Sequence, residues 1–333
     1  MERPVRAIPA VVRGAVLIDF FATQPHYVDH LRPTWNALPP PVRGDWYTED
    51  HRHLLGPSDR LMVVSSYGDL RDARRAGYER LVLVQHGCGM SYSDDHPAYP
   101  GGRSRENVVL LLDPNEFAAA RDRAAHPTIP VAVVGCPKLD AWFTTPPAHR
   151  HRDRPLVVFS FHWPGGYDPP ETRWAFSHYK DRLLTLKQHA DRMGYRVAGH
   201  GHPKAQDSHL RAFWHDAGFG FIRDFAHVVE VADMYACDNS STLYEYAAVT
   251  DRPVLVLNSP SYRRDINHGI RFWQAMPGIQ VDTAADLGDA IIEGLADPAY
   301  AQQMRREAVE LVYPVGRDGT AAKRAAEAIM GVA

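Results

Sequence analysis

At 333 residues the chain is long enough for about two domains of roughly 150 residues each. Its composition, 45% hydrophobic and 23% charged, is that of a folded globular protein and excludes a disordered or low-complexity chain. A formal net charge of −3 gives no electrostatic basis for a nucleic-acid partner, which requires a clustered excess of Lys and Arg.

Taken from the N-terminus, Met1 to Arg13 is interrupted by Pro4 and Pro9 and lacks the apolar core of a secretory signal. No stretch reaches the roughly 20 apolar residues needed to span a bilayer. The three cysteines, Cys88, Cys136 and Cys237, are widely spaced and form neither a C-x-x-C pair nor a disulfide framework. They read as small buried residues in a reducing compartment. The expectation is therefore a cytoplasmic protein, soluble or at most peripheral at the inner membrane face.

Short apolar runs then alternate with polar turns and helical patterns, the rhythm of βαβ units and a parallel sheet. The runs in the first half are Ala15 to Phe21, Leu61 to Ser65, Leu81 to Gln85, Val108 to Leu112 and Val131 to Val134. Helices are expected at Asp69 to Gly77 and Asn115 to Ala125, whereas the Pro-, Trp- and His-rich stretch from Thr23 to Pro57 matches no pattern. Thr144 to Pro155 (TTPPAHRHRDRP) has no apolar periodicity and reads as a linker. A second series of strands follows at Leu156 to Phe161, Arg196 to Gly199, Phe219 to Arg223, Met234 to Cys237 and Val254 to Leu257. Helical patterns between them cover Glu171 to Met193, Lys204 to His215, Val228 to Asp233 and Leu243 to Val249, and the tail is helical over Ala284 to Ala296, Tyr300 to Val312 and Thr320 to Met330. The predicted organisation is a first α/β domain (1–145), a second α/β domain (155–310) and a C-terminal helix (311–333) packing back on the first domain. Ligands of two such α/β sheets bind at the carboxyl ends of the strands, so the strand exits hold the candidate chemistry.

Gln85-His86-Gly87-Cys88-Gly89 is the first such exit, where glycines let a ligand approach the backbone and His86 reaches the cleft. Gly135-Cys136-Pro137-Lys138-Leu139-Asp140, at the end of the last first-half strand, reads equally well as a structural turn. His200-Gly201-His202-Pro203-Lys204 is the next. His200 and His202 at i and i+2 share a strand face, an acceptable metal spacing, but no full hydrolase ligand pattern accompanies them. The preferred reading is one cleft histidine, His202, with Lys204 helping to neutralise a phosphate.

Asp238-Asn239-Ser240-Ser241-Thr242 leaves the strand Met234 to Cys237 and opens a helix. The first turn of a helix has unpaired N–H groups and the positive end of the dipole, a place for a phosphate with Asn239, Ser240 and Ser241 as added donors. Thr242 and Glu245 also fit a T-x-x-E capping box, which by itself would make the segment only a helix start. Arg252-Pro253 precedes the last apolar run, and its exit loop carries Arg263. Neither a Walker loop nor G-x-G-x-x-G occurs, which argues against P-loop kinases and ordinary nicotinamide dehydrogenases.

The ordered set from Leu81 to Arg264 resembles the CDP-glycerol glycerophosphotransferase family of teichoic-acid type: His-Gly, Gly135-x-Pro137-Lys138-x-Asp140, His202-Pro203, Asp238-Asn239-Ser240-Ser241 with Glu245, and Arg252-Pro253. Departures are Cys88, Lys138 and Asn239, where the family usually carries Thr, Arg and Tyr. The resemblance implies a GT-B fold, two Rossmann-like domains facing across a cleft, and attack of an acceptor hydroxyl on a CDP-alditol. It implies His86 as general base, His202 near the donor phosphates, and Ser240 and Ser241 at the phosphate-binding helix. Lys204 and Asn239 are further candidates for the phosphates, and Glu245 and Arg263 for the nucleoside. The expected partners are a nucleotide-activated donor and a glycan or polymer acceptor, and the scheme requires no cofactor or metal. A GT-B glycosyltransferase using a nucleotide sugar is the nearest alternative; an epimerase of that fold and a metal-dependent hydrolase built on His200 and His202 are further ones. A silent nucleotide-binding partner protein is the last.

Overall fold

The computed structural model describes residues 16–88, 105–148, 152–163, 175–238, 240–265, 272–314 and 317–333. In the first half the elements are β1 (Ile18–Ala22), α1 (Pro25–Ala37), β2 (Arg43–Thr48), β3 (Ser58–Val64), α2 (Tyr67–Arg75), β4 (Tyr78–Val84), β5 (Val108–Asp113), α3 (Glu116–Ala125), β6 (Val131–Val133) and α4 (Asp140–Thr144). The second half contains β7 (Leu156–Phe161), α5 (Phe176–Met193), β8 (Arg196–Gly201), the single turn α6 (Pro203–Ala205), α7 (Arg211–Asp216), β9 (Gly220–Phe221), α8 (Phe225–Val231), β10 (Met234–Cys237), α9 (Thr242–Thr250), β11 (Val254–Leu257) and β12 (Ile279–Val281). Three helices close the chain, α10 (Leu287–Leu295), α11 (Ala299–Val312) and α12 (Ala321–Met330).

The strands form two parallel sheets, in the orders β2-β1-β3-β4-β5-β6 and β12-β11-β10-β7-β8-β9. Central strands such as Leu61–Val64 and Met234–Cys237 are buried on both faces, which is why they read as unbroken apolar runs. Helix starts follow local chemistry: the Ser66 side chain accepts the Asp69 N–H at 3.0 Å, and Asn115 accepts the Ala118 N–H at 3.0 Å. Gly194, in the left-handed region, ends α5.

Two differences from the sequence reading matter. The unassigned stretch after Thr23 contains α1 and the edge strand β2. Helix α1 starts without a side-chain cap and carries Pro33 inside, so Pro25 at its first position is its one start signal and the internal proline argues against a helix. Strand β2 (RGDWYT) is only half buried and is pinned by the buried Asp19 carboxylate, which accepts the Asp45 N–H at 2.7 Å. The single helix expected over Lys204 to His215 is divided by a π-helical turn at Gln206–Leu210, where the Gln206 amide donates to the Gly201 and Arg223 carbonyls at 2.8 Å each.

Helix α12 packs on the first sheet: Ala325, Ala326 and Ile329 share a core with Ile18, Phe20 and Leu31. Its first turn is held by Asp140, whose carboxylate accepts the N–H groups of Ala321 and Ala322 at 3.0 and 2.8 Å. Cys88, Cys136 and Leu139 of the first half pack with Tyr244 and Val312 of the second. In each sheet the strand order reverses once, between β1 and β3 in the first and between β7 and β10 in the second. Those reversals open the crevices in which such folds take ligands.

Candidate active site

The strand exits bring a group of histidines together. His26 stands in the first turn of α1, just beyond β1; His86 follows β4, His162 follows β7 and His202 follows β8. The His26 and His202 rings lie 5.0 Å apart edge to face, and His162 stands 5.0 Å from His202 on another side. Tyr27 and His30 of α1 approach His86 at 5.2 and 6.2 Å. Lys204 sets its ammonium 4.6 Å from the Trp163 ring.

Hydrogen bonds select the tautomers of these rings. His86 Nδ1 is 2.8 Å from the Ser65 carbonyl; a carbonyl only accepts, so Nδ1 carries the proton and Nε2 presents a lone pair. His162 Nδ1 donates likewise to the Trp163 carbonyl at 3.0 Å. His202 is the reverse. Its Nδ1 accepts the Lys204 N–H at 3.2 Å, which leaves the proton on Nε2. Burial holds all these rings neutral: it lowers His86 and His162 to about 4 and His26 to about 3, with the neighbouring cationic groups adding to the effect, and it pushes His202 well below its ordinary value.

Helix α9 starts against this group. Its N-cap residue Ser241 makes no side-chain cap hydrogen bond, and among the described residues Glu245 pairs with Lys138 instead of reaching back to form the box that T-x-x-E suggested. The Thr242 hydroxyl instead donates to Ser240 Oγ at 2.9 Å while lying 2.8 Å from the Tyr235 hydroxyl, a chain that leaves the Ser240 O–H directed onward. Gly87 lies directly on this start. With φ of +65°, a Cβ added there would fall 2.3 Å from the Ser241 side chain. The His-Gly turn of the first sheet and the serine turn of the second are thus in contact.

Beneath them Lys138 Nζ meets Glu245 at 2.6 Å, an ion pair between the two halves. Burial works against the lysine charge, but the carboxylate outweighs it and raises the Lys138 pKa. The second carboxylate oxygen of Glu245 is buried and has no hydrogen-bond partner among the described residues. Glu245, expected at the nucleoside, is fully buried with one carboxylate oxygen on Lys138.

The remaining candidates separate. Lys204 is exposed beside His202, Ser240 is buried and Ser241 half-buried at the helix start, and Arg263 is exposed on the exit loop of β11. Asn239 lies outside the described residues. His200 does not join His202: its Nδ1 lies 2.8 Å from the Ile222 carbonyl and its ring faces Phe225. The two histidines therefore make no common metal face. Among the described residues no group of three or more His, Cys, Asp or Glu side chains could hold a metal ion. All three cysteines are buried, and none is in a disulfide. Sequence reasoning missed His26, His30 and His162. The last of these stands immediately after the apolar run ending at Phe161, a position that could have marked it.

Two parallel Rossmann-like sheets whose strand exits meet across a cleft define a GT-B fold. Residues 170–331 match the family model of CDP-glycerol:poly(glycerophosphate) glycerophosphotransferases. His202, Ser240 and Ser241 lie inside the matched span, and His26 and His86 lie before it. Solved structures of similar fold include the wall teichoic acid polymerase TagF, in a histidine variant with CDPG (13% identity, 97% of this chain and 90% of that one, TM-score 0.58). They also include S. aureus MnaA with UDP (16%, 96% of each chain, 0.62) and the calicheamicin glycosyltransferase CalG4 (13%, 95% and 98%, 0.53). The curated protein sequences contain no match. Among the described residues no helix is long and apolar enough to cross a membrane.

Proposed function

We propose that this protein moves an alditol phosphate, glycerol phosphate being the leading case, from a CDP-alditol to a hydroxyl of a glycan or polymer acceptor. The observation that carries the reading is the contact of Gly87 with Ser241, which sets the free Nε2 of His86 beside an uncapped helix start. In this scheme the acceptor oxygen attacks the distal phosphorus, a new P–O bond forms, and the bond to the bridging oxygen breaks to release CMP. The acceptor proton passes to His86 Nε2. The Nε2–H of His202, the Lys204 ammonium, the Ser240 and Ser241 hydroxyls and the α9 amides stabilise the charge that builds on the phosphate oxygens.

A base held at about 4 is weak for a neutral-pH reaction. The bound pyrophosphate supplies the correction, since negative charge beside an imidazole favours its protonated form and raises its pKa. The test is to incubate the protein with CDP-glycerol or a UDP-sugar and an acceptor and to measure the nucleotide released. CMP from CDP-glycerol is the expected product; UDP released from a nucleotide sugar, with CDP-glycerol left intact, would replace this reading with a glycosyltransferase.

A further inference from the structure

His26 is not used by the scheme above, and its surroundings are unusual. The ring sits at the reversal point of the first sheet, in the turn after β1, where Pro25 opens α1. It reaches across to the second half and meets His202 edge to face at 5.0 Å. Both ring nitrogens are shut off from solvent, and neither has a hydrogen-bond partner among the described residues. A neutral imidazole always carries one N–H donor and one acceptor lone pair. Leaving both unmet out of water is costly, and native structures seldom do so without a reason such as a ligand site. The neighbours of the ring indicate the ligand's charge. Burial first, and then the nearby Lys204 and Lys138 ammonium groups, oppose a proton on His26, and with the surrounding histidines neutral those two lysines make the local field positive. His202 beside it already offers an Nε2–H, and the start of α9 lies against the turn that carries His86, a further neighbour of His26.

We propose that His26 is a donor-binding residue contributed by the first sheet, its ring N–H donating to a phosphate oxygen of the nucleoside diphosphate held by His202, Lys204 and the α9 helix start. The inference rests on the transferase reading and extends it, because it makes the diphosphate a bridge between the two halves rather than a ligand of the second alone. The phosphates are gripped from both walls.

Isothermal titration with CDP, CMP and cytidine separates the two ideas. Wild-type protein is expected to bind CDP well above cytidine. His26→Phe keeps a flat ring against His202 but removes the donor, and is expected to weaken CDP binding about tenfold or more, the loss of one hydrogen bond to a charged group, with cytidine binding unchanged. His26→Gln, which restores an N–H donor, should recover part of the loss. Melting curves for both variants show that they are folded; should the Phe variant not fold, the comparison of Gln with Ala at the same position carries the test. CDP bound by folded His26→Phe as tightly as by wild type overturns the proposal and leaves the transferase reading standing, as does a fall in kcat alone at unchanged CDP affinity. Wild-type protein that binds no CDP, and no UDP, GDP or ADP in its place, overturns both.

Discussion

Gly87→Ala tests whether the close seating of the His-Gly turn on the serine turn is what assembles the site. The new Cβ would lie 2.3 Å from both Cβ and Oγ of Ser241, against an ordinary contact of 3.4–4 Å, so the two turns must part by about 1 Å. Ser241 cannot yield easily, because α9 behind it is anchored by buried Leu243, Tyr244 and Tyr246. The displacement therefore falls on the loop carrying His86. Two effects add. The left-handed conformation at φ +65° costs alanine about 1–2 kcal/mol, and a misplacement of about 1 Å in a catalytic group lowers turnover by about a hundredfold. Steady-state release of CMP from CDP-glycerol, with a melting curve alongside, separates the effects: kcat should fall about a hundredfold while the melting temperature drops by only a few degrees. Ser241→Gly in the same chain removes the obstructing side chain and should return part of kcat without removing the backbone strain. Wild-type turnover in Gly87→Ala would refute the reasoning, since the two turns would then not need their observed separation.

Other perturbations act on neighbouring parts of the same architecture. Lys138→Met leaves the fully buried Glu245 carboxylate without its cation, and chemical denaturation should show a loss of about 3–5 kcal/mol, largely recovered when Glu245→Leu is added. His86→Ala should lower kcat by about 10²–10⁴-fold with CDP affinity nearly intact, and a fully active variant would eliminate the proposed base. In the wild type the acid limb of kcat/KM, which reports the free protein, should lie near pH 4, and that of kcat should lie higher because the bound pyrophosphate raises His86. Stability should also depend on these rings. Unfolded histidines take up protons near pH 6.5, whereas His86, His162 and His200 do so in the folded protein only near 4 and His26 near 3. The unfolded chain therefore binds more protons in this window, so the melting temperature should hold above pH 6.5 and fall as the pH drops from 6.5 toward 4.

Much of this arrangement could be read from the residues in order. Central parallel strands are buried on both faces and so appear as unbroken apolar runs, which placed β4, β5, β7, β10 and β11 within a few residues and made their exits the place to look. The exits of β4, β8 and β10, found in this way, do meet in the folded chain. The missed elements lack that pattern for identifiable reasons. Strand β2 is an edge strand with one polar side, β12 is three residues long, and α1 has neither a cap nor a clean apolar stripe. Because α1 was not legible, neither was His26.

Pairwise facts across long separations were hidden in a different sense. Thr242 and Glu245 have the spacing of a local capping box, and only the fold shows Glu245 turned toward Lys138, 107 positions away. The glycine after His86 suggested room for a ligand. In the structure that space is taken by Ser241.

The chemistry of the cleft depends on its histidines being neutral. Two imidazolium rings 5 Å apart, as His26 and His202 or His162 and His202 would be, would repel each other by about 3 kcal/mol at an effective dielectric of about 20, and Lys204 would add to this. Burial resolves the conflict by keeping the rings uncharged at neutral pH, so several N–H donors and lone pairs can stand within one small volume beside a single ammonium. Such a cleft offers an anion hydrogen bonds without first paying for the self-repulsion of a cluster of lysines. If the proposed donor binds here, the negative charge of its pyrophosphate would raise the proton affinity of His86, so that the ring would become effective as a base only with the donor in place.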